Sequence, residues 1–139
     1  MKNTFMRGFT LLEIMLVVAI MGIMVTFAIP MFQDYVIRVR VAEGFELSMP
    51  ARVAVSEYYL AHQTFANEQT MGYTSTSSSD NVESIHIVDK GQVVITYTKV
   101  AGNGTLVLSP EVKAEQQIIW HCQDGTLDKK YLPRVCESH

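Results

Sequence analysis

The most constraining feature of this sequence is an apolar run over residues 9–29 that contains one charged residue, Glu13. As a helix rising about 1.5 Å per residue, the run reaches about 30 Å, the hydrocarbon thickness of a bilayer. We therefore expect a membrane-spanning helix. A carboxylate within such a helix costs about 2.5–3.5 kcal/mol on insertion scales. Glu13 either marks a ragged helix start and reaches towards the headgroups, or it has a positively charged partner.

The flanks of the run indicate its orientation. Lys2 and Arg7 precede the run without a neighbouring acid, so the positive-inside rule places the N-terminus in the cytoplasm. Arg38 and Arg40 lie beyond the run and weaken that signal. A secretory cleavage site of the A-x-A type would follow the run, where Ala28-Ile29-Pro30 fits poorly.

The remaining chain is long enough for one modest domain, whose stability would benefit from a covalent cross-link. The protein has 139 residues and a net charge of -3, and about 109 residues follow the first 30. Its two cysteines are Cys122 and Cys136. Downstream of a membrane segment, such a pair indicates a disulfide in an oxidising compartment, worth about 3 kcal/mol in the chain-entropy model. Two unrelated reduced thiols are the alternative.

The residues "RGFTLLEIMLVVAIMGI" at positions 7–23 resemble the N-terminus of type IV prepilins. That family has a short basic leader ending in Gly, then Phe-Thr-Leu-Leu-Glu, then an unbroken apolar helix. The resemblance implies that a prepilin peptidase removes the leader, residues 1–8, by cutting between Gly8 and Phe9 on the cytoplasmic side. It also implies methylation of the new amine at Phe9.

The resemblance also gives Glu13 a partner. Glu13 lies four residues after Phe9, which is the same-face spacing of a helix. In the family, this acid is thought to attract the N-terminal amine of a neighbouring subunit during assembly. Two opposite charges about 4 Å apart are worth about 4 kcal/mol at an effective dielectric of about 20, which is comparable with the insertion cost. The pair would also set the register, since a slipped subunit leaves both charges unpaired.

The helical pattern continues well beyond the membrane. We expect it to run from Phe9 past Pro30 to about Ala61. Pro30 and Pro50 are expected to bend or locally melt the helix without ending it. The resemblance implies that Gly22 softens the helix as well. The part after Pro30 is amphipathic. The side expected to face the globular domain consists of Tyr35, Val39, Ala42 and Leu47.

Four short segments rich in β-branched residues follow and predict an antiparallel sheet. A tight turn at Lys90-Gly91 joins the first two, and Ile85, Ile87 and Val93 are expected to cover the helix. The fold class is therefore α+β: a long N-terminal helix packed on a four-stranded antiparallel sheet, with a C-terminal disulfide loop resembling that of type IVa pilins. The expected organisation is a leader 1–8, a transmembrane and assembly helix 9–30, and a globular domain 31–139 divided into helix 31–61, exposed loop 62–81, sheet 82–121 and disulfide loop 122–136.

The sequence contains no recognisable enzyme signature. It has no glycine-rich phosphate loop, no HExxH motif and no nucleophile elbow. His121 beside Cys122 suggests metal, but no second ligand pair at zinc-like spacing supports it. We therefore expect no catalytic residues, no metal and no cofactor. A single-pass membrane enzyme is a formal alternative without a visible active site.

Three basic residues in the cysteine loop raise the question of DNA contact. Lys129, Lys130 and Arg134 concentrate positive charge there, and some pilins of this kind contact DNA through such surfaces. The processed chain is nevertheless acidic, with nine Lys and Arg against 14 Asp and Glu. A solvated loop is the favoured interpretation, and weak DNA contact is the alternative. The acids that flank the cluster are Asp124, Asp128 and Glu137.

These features together predict a homopolymer subunit. The resemblance implies a type IV pilus subunit that is inserted in the inner membrane, handled by prepilin peptidase and the pilus assembly machinery, and built into an extracellular filament. Such filaments serve adhesion, motility or DNA uptake. The alternatives are a type II secretion pseudopilin, which usually lacks the terminal cysteine pair, and a minor or competence pilin that binds DNA.

Overall fold

The computed structural model describes residues 8–75, 78–123 and 125–136. The predicted leader, apart from Gly8, lies outside these residues, as do Asp124 and Glu137. The chain divides between Gln33 and Asp34 into two compact units, which we call the N-terminal segment and the globular unit. The helices and strands are α1 (Leu11–Leu47), α2 (Met49–His62), α3 (Glu68–Met71), β1 (Val82–Ile87), β2 (Val93–Tyr97), β3 (Thr105–Val112) and β4 (Ile118–Gln123).

The long helix has one interruption, at Ser48 between α1 and α2. The Ser48 hydroxyl donates a 2.6 Å hydrogen bond to the carbonyl of Phe45, in the preceding turn. Pro50 is the second residue of α2 and has no N–H to donate to that turn. Helical structure past Pro30 to about residue 61 is confirmed, since α1 contains Pro30 and α2 ends at His62.

The four strands form one antiparallel sheet in the order β1-β2-β3-β4, as predicted. The predicted turn at Lys90-Gly91 joins β1 to β2, and both residues have positive φ, 63° and 70°. Two successive residues with a left-handed backbone conformation match the right-handed twist of the strands that they connect. The expected exposed loop differs in two respects, because it contains the short helix α3, and because Phe65, Met71 and Tyr73 are partly buried against the core. Asn67 caps this helix by accepting a 3.0 Å hydrogen bond from the N–H of Thr70.

The helix face that packs on the sheet is only partly the predicted one. Tyr35 and Val39 are 63% and 52% exposed, and Ala42 and Leu47 are only half-buried. The prediction is wrong for Tyr35 and Val39, whereas Leu47 is partly buried against the core. Patterning by apolar side chains also missed Gly44, where the close approach of helix and sheet requires a small residue. The residues on the buried face are Val41, Gly44, Ser48, Ala51 and Val55.

Tyr97 of β2 explains why one of these positions is glycine. The Tyr97 side chain is buried against α1, and its hydroxyl donates a 2.8 Å hydrogen bond to the carbonyl of Val41. A Cβ atom added at Gly44 would overlap the Tyr97 ring and lie 2.8 Å from its hydroxyl oxygen. The predicted sheet residues Ile85, Ile87 and Val93 are buried in the same core, as expected.

We expect Gly44→Ala to destabilise the globular unit. Overpacking of this kind costs about 1–3 kcal/mol, and the better helix propensity of Ala offsets about 1 kcal/mol at most. Trp120, the single tryptophan, packs beside the core and reports on this unit alone. Denaturant unfolding of the full chain in detergent, followed by Trp120 fluorescence, measures the change. Gly22→Ala is the matched control, since nothing lies within 4 Å of its added methyl group.

Tyr97 also predicts how stability depends on pH. Burial raises the pKa of Tyr97 well above its ordinary value of 10. The unfolded chain loses this proton above about pH 10 while the folded chain keeps it, so the free energy of unfolding falls as pH rises, by up to about 1.4 kcal/mol per pH unit. Tyr97→Phe should be less stable at pH 7 and should lose this part of the slope. Equal slopes in the two proteins would contradict the prediction.

Candidate functional site

The N-terminal segment presents an uncovered apolar surface. From Gly8 to Gln33, every residue is exposed in the single chain. The most apolar window of the long helix has a mean hydropathy of 2.5, and none of it is buried. By length and composition, this helix can cross a membrane. A surface of this size and character needs lipid or neighbouring helices to cover it.

The structure places Glu13 in the first turn of α1, next to a capping residue that the sequence interpretation overlooked. The Thr10 hydroxyl accepts a 3.2 Å hydrogen bond from the backbone N–H of Glu13. The signal was present in the sequence as Thr-x-x-Glu before an apolar run. This cap starts the helix at Leu11, so Phe9 lies outside it. In the uncleaved chain, Phe9 and Glu13 therefore do not share a helix, and the same-face spacing expected once the chain begins at Phe9 stays a prediction.

Two of the predicted helix-bending residues lie within α1, which continues through both of them. Thr26 donates a 3.1 Å hydrogen bond from its hydroxyl to the carbonyl of Gly22, one turn earlier. Pro30 lacks the N–H that would otherwise bond to the Thr26 carbonyl. The open space around Gly22 leaves a shallow place on the helix surface where a neighbouring helix can approach closely.

The predicted disulfide joins Cys122 of β4 to Cys136, with 5.3 Å between their Cα atoms. The loop that it closes is also held by hydrogen bonds to the start of β3. The backbone N–H of Thr105 donates to the Thr126 hydroxyl at 3.0 Å, and the N–H of Thr126 donates to the Thr105 hydroxyl at 3.1 Å. Leu127 and Cys136 are buried in the core. The disulfide therefore closes a loop that is already part of the packed unit.

The same loop also contacts the first turns of the helix in the globular unit. The Arg38 guanidinium donates a 2.7 Å hydrogen bond to the carbonyl of Lys130. The Tyr131 hydroxyl donates to the Asp34 carboxylate at 3.3 Å, and the Lys130 ammonium lies 3.5 Å from the same carboxylate. A hydrogen bond with the Tyr131 side chain is the main reason that the pKa of Lys130 is raised, and the charge of Asp34 adds to it.

The three basic residues considered for DNA contact are exposed. They do not form an unopposed cationic surface, because Asp34 pairs with Lys130 and Asp128 accepts a 3.1 Å hydrogen bond from the Lys130 backbone N–H. Lys129 and Arg134 extend from the same loop. DNA contact by Lys129, Lys130 and Arg134 remains a hypothesis.

Two histidines of the strands, His86 and His121, pair with carboxylates. His121 of β4 hydrogen-bonds to the Glu111 carboxylate on β3, and His86 lies 3.2 Å from both carboxylate oxygens of Glu68. Cys122, beside His121, is committed to the disulfide and cannot offer a thiolate. Within the described ranges, no three His, Cys, Asp or Glu side chains are grouped so that they could hold a metal ion.

Comparisons with known proteins agree with this architecture. The family model for pilin, a bacterial filament protein, matches residues 38–137, and the prokaryotic N-terminal methylation motif matches residues 5–29. The chain is 30% identical to the type IV major pilin protein PilE of Neisseria gonorrhoeae, over 99% of this chain and 97% of the relative. It is 35% identical to the fimbrial protein EcpC of Eikenella corrodens, over 95% and 91% of the two chains.

A third relative is the type IV major fimbrial protein FimA of Dichelobacter nodosus, which is 34% identical over 80% of this chain and 61% of the relative. The two family models between them cover both the apolar helix and the globular unit. This chain therefore belongs to the type IV pilin family, a family of structural subunits.

Proposed function

We propose that this chain is a structural subunit of a type IV pilus, made as an inner-membrane precursor and assembled into an extracellular filament. The observation that supports the proposal most strongly is the uncovered apolar segment, whose one charge, on Glu13, lies at a capped helix start. Such a segment is stable in lipid before assembly and among neighbouring helices afterwards. Because lipid is itself apolar, close packing at Gly22 and charge pairing at Glu13 must favour the filament.

In this proposal, prepilin peptidase cuts between Gly8 and Phe9 on the cytoplasmic side, and the new amine of Phe9 is methylated. The Thr10 cap supports this order of events, because it leaves Phe9 outside the helix. The positive amine can then reach the Glu13 carboxylate of a neighbouring subunit. The globular unit is periplasmic in the precursor, where the disulfide forms.

The relatives favour a pilin over the alternatives, since their names describe major pilins and fimbrial proteins. A type II secretion pseudopilin and a minor competence pilin are therefore not favoured. The filament would serve adhesion, twitching motility or DNA uptake. DNA contact through Lys129, Lys130 and Arg134 is a weaker proposal, because carboxylates lie beside Lys130.

Mass spectrometry of protein sheared from the cell surface tests processing and export together. The expected chain begins at methylated Phe9 and is lighter than its reduced form by the two hydrogens lost in the Cys122–Cys136 bond. Sheared filaments that retain residues 1–8 would contradict the processing step. Filaments that lack this chain altogether would contradict its role as their subunit.

A further inference from the structure

The globular unit has an uneven distribution of charge. Five cations belong to residues 34–40 at the start of its helix and to residues 98–101 and 128–131 of two loops that pack there, and the acids in these described stretches are Asp34 and Asp128. The rest of the described globular unit has four Lys or Arg against nine Asp or Glu. An otherwise acidic unit therefore has one cationic end. We call this group the basic collar, and it consists of Arg38, Arg40, Lys99, Lys129 and Lys130.

Specific contacts hold the collar together. The Arg40 guanidinium donates a 2.7 Å hydrogen bond to the carbonyl of Val100, which brings the loop of Lys99 against the helix. Arg38 holds the second loop through the carbonyl of Lys130. The three lysines remain exposed, and the Lys130 side chain keeps 50% of its surface accessible although it pairs with Asp34. Their ammonium groups can therefore meet a further anion beyond their contacts within the chain.

The position of the collar in the sequence is the second observation. Its helical part, residues 34–40, follows directly after the apolar N-terminal segment. Tyr35 lies in the same turns and is 63% exposed, and Phe32 just before it is 67% exposed. An exposed tyrosine beside the end of a membrane span is typical of the headgroup region. A position in the headgroup region accounts for the exposure of Tyr35, which hydrophobic patterning assigns to the core.

We propose that the basic collar binds the anionic phospholipid headgroups that surround the precursor in the membrane. The inference rests on the membrane-anchored precursor described above. Each Lys or Arg near an anionic leaflet strengthens attachment by about fivefold, and the effect falls off within a Debye length. The collar would keep the globular unit close to the bilayer until the subunit leaves it, when the headgroup contacts are lost.

Lysine labelling of the full chain in nanodiscs tests the proposal. The chain is reconstituted in phosphatidylcholine alone or mixed with phosphatidylglycerol, treated briefly with an acetylating reagent, and analysed by mass spectrometry. Lys99, Lys129 and Lys130 are expected to react about fivefold more slowly in the anionic discs, and high salt should remove the difference. Lys90 and Lys113, outside the collar, should react equally in both and act as internal controls.

A matched pair of variants separates the collar from net charge. The double variant Lys99→Gln/Lys129→Gln should reduce the lipid-dependent protection of Lys130. The control double variant Lys90→Gln/Lys113→Gln removes the same amount of charge and should leave the protection of Lys130 unchanged. Equal labelling rates in the two kinds of disc would overturn the proposal. Equal protection of all five lysines would also overturn the proposal, since it would indicate a general effect of the charged disc surface.

Three further outcomes bear on the proposal. Protection in phosphatidylcholine discs by added inorganic phosphate would show a simple anion site and overturn the lipid assignment. Protection by duplex DNA in the absence of any phosphatidylglycerol effect would assign the collar to DNA instead. Failure of the chain to enter discs would overturn the membrane-anchored precursor and the collar with it, whereas insertion with equal labelling overturns the collar alone.

Discussion

Cells in which Glu13→Gln replaces the native subunit should carry at least about tenfold fewer filaments, while the subunit stays in the membrane. The substitution keeps the size of the side chain and removes its charge. In the proposed assembly, the lost attraction to the Phe9 amine is worth about 4 kcal/mol at an effective dielectric of about 20. Membrane retention should not suffer, because a neutral amide is easier to place in the hydrocarbon than a carboxylate.

Filament counts by electron microscopy and the amount of processed subunit in membranes measure the two effects separately. Thr26→Val is the matched control, since it removes a polar group from the same exposed segment without changing the charge. Glu13→Asp should give an intermediate count, because it keeps the charge on a shorter side chain. A normal filament count from Glu13→Gln would show that charge pairing does not drive assembly.

Replacing both Cys122 and Cys136 by serine should lower the free energy of unfolding of the globular unit by about 3 kcal/mol, the loop-closure contribution of a bond between residues 14 apart. The end of the loop near Cys136 should lose most of its order, because Cys136 is buried through this bond. The beginning should stay docked, since Thr105 and Thr126 hold it by reciprocal hydrogen bonds.

Denaturant unfolding in detergent, monitored by Trp120 fluorescence, measures the stability, and hydrogen exchange measures the local order. Reduction of the native protein with dithiothreitol should reproduce the behaviour of the double variant, which separates loss of the bond from any effect of the serine side chains. Thr126→Val is the complementary variant and should loosen the beginning of the loop instead. An unchanged midpoint after reduction would mean that the hydrogen bonds alone hold the loop.

The apolar helix of the N-terminal segment could be predicted from the sequence. Its length, its apolar composition and the motif around Glu13 are local features, and a helix in this segment satisfies its own backbone hydrogen bonds. The strand order and the turn at Lys90-Gly91 could also be predicted, because consecutive β-branched segments with tight connections form antiparallel neighbours. The Thr10 cap was visible in the sequence and was overlooked.

The buried face of the helix could not be found from hydrophobic patterning. Patterning selects Tyr35 and Val39, whereas the structure buries Gly44 and Ser48, which have little or no apolar side chain. The value of Gly44 depends on the Tyr97 ring, which comes from β2 and lies more than 50 residues away in the sequence. Small residues on a helix become informative only when the bulky partner opposite them is known.

The sequence by itself determined what this chain is: an apolar anchor with one acid, a four-stranded sheet and a cysteine pair, each set by residues close together in the chain. Only the tertiary structure decided which helix face is buried, how the disulfide loop docks, and that five cations lie at one end of the globular unit. The physical reason is that packing and charge clustering depend on distances between residues remote in sequence, as with Arg38 and Lys130.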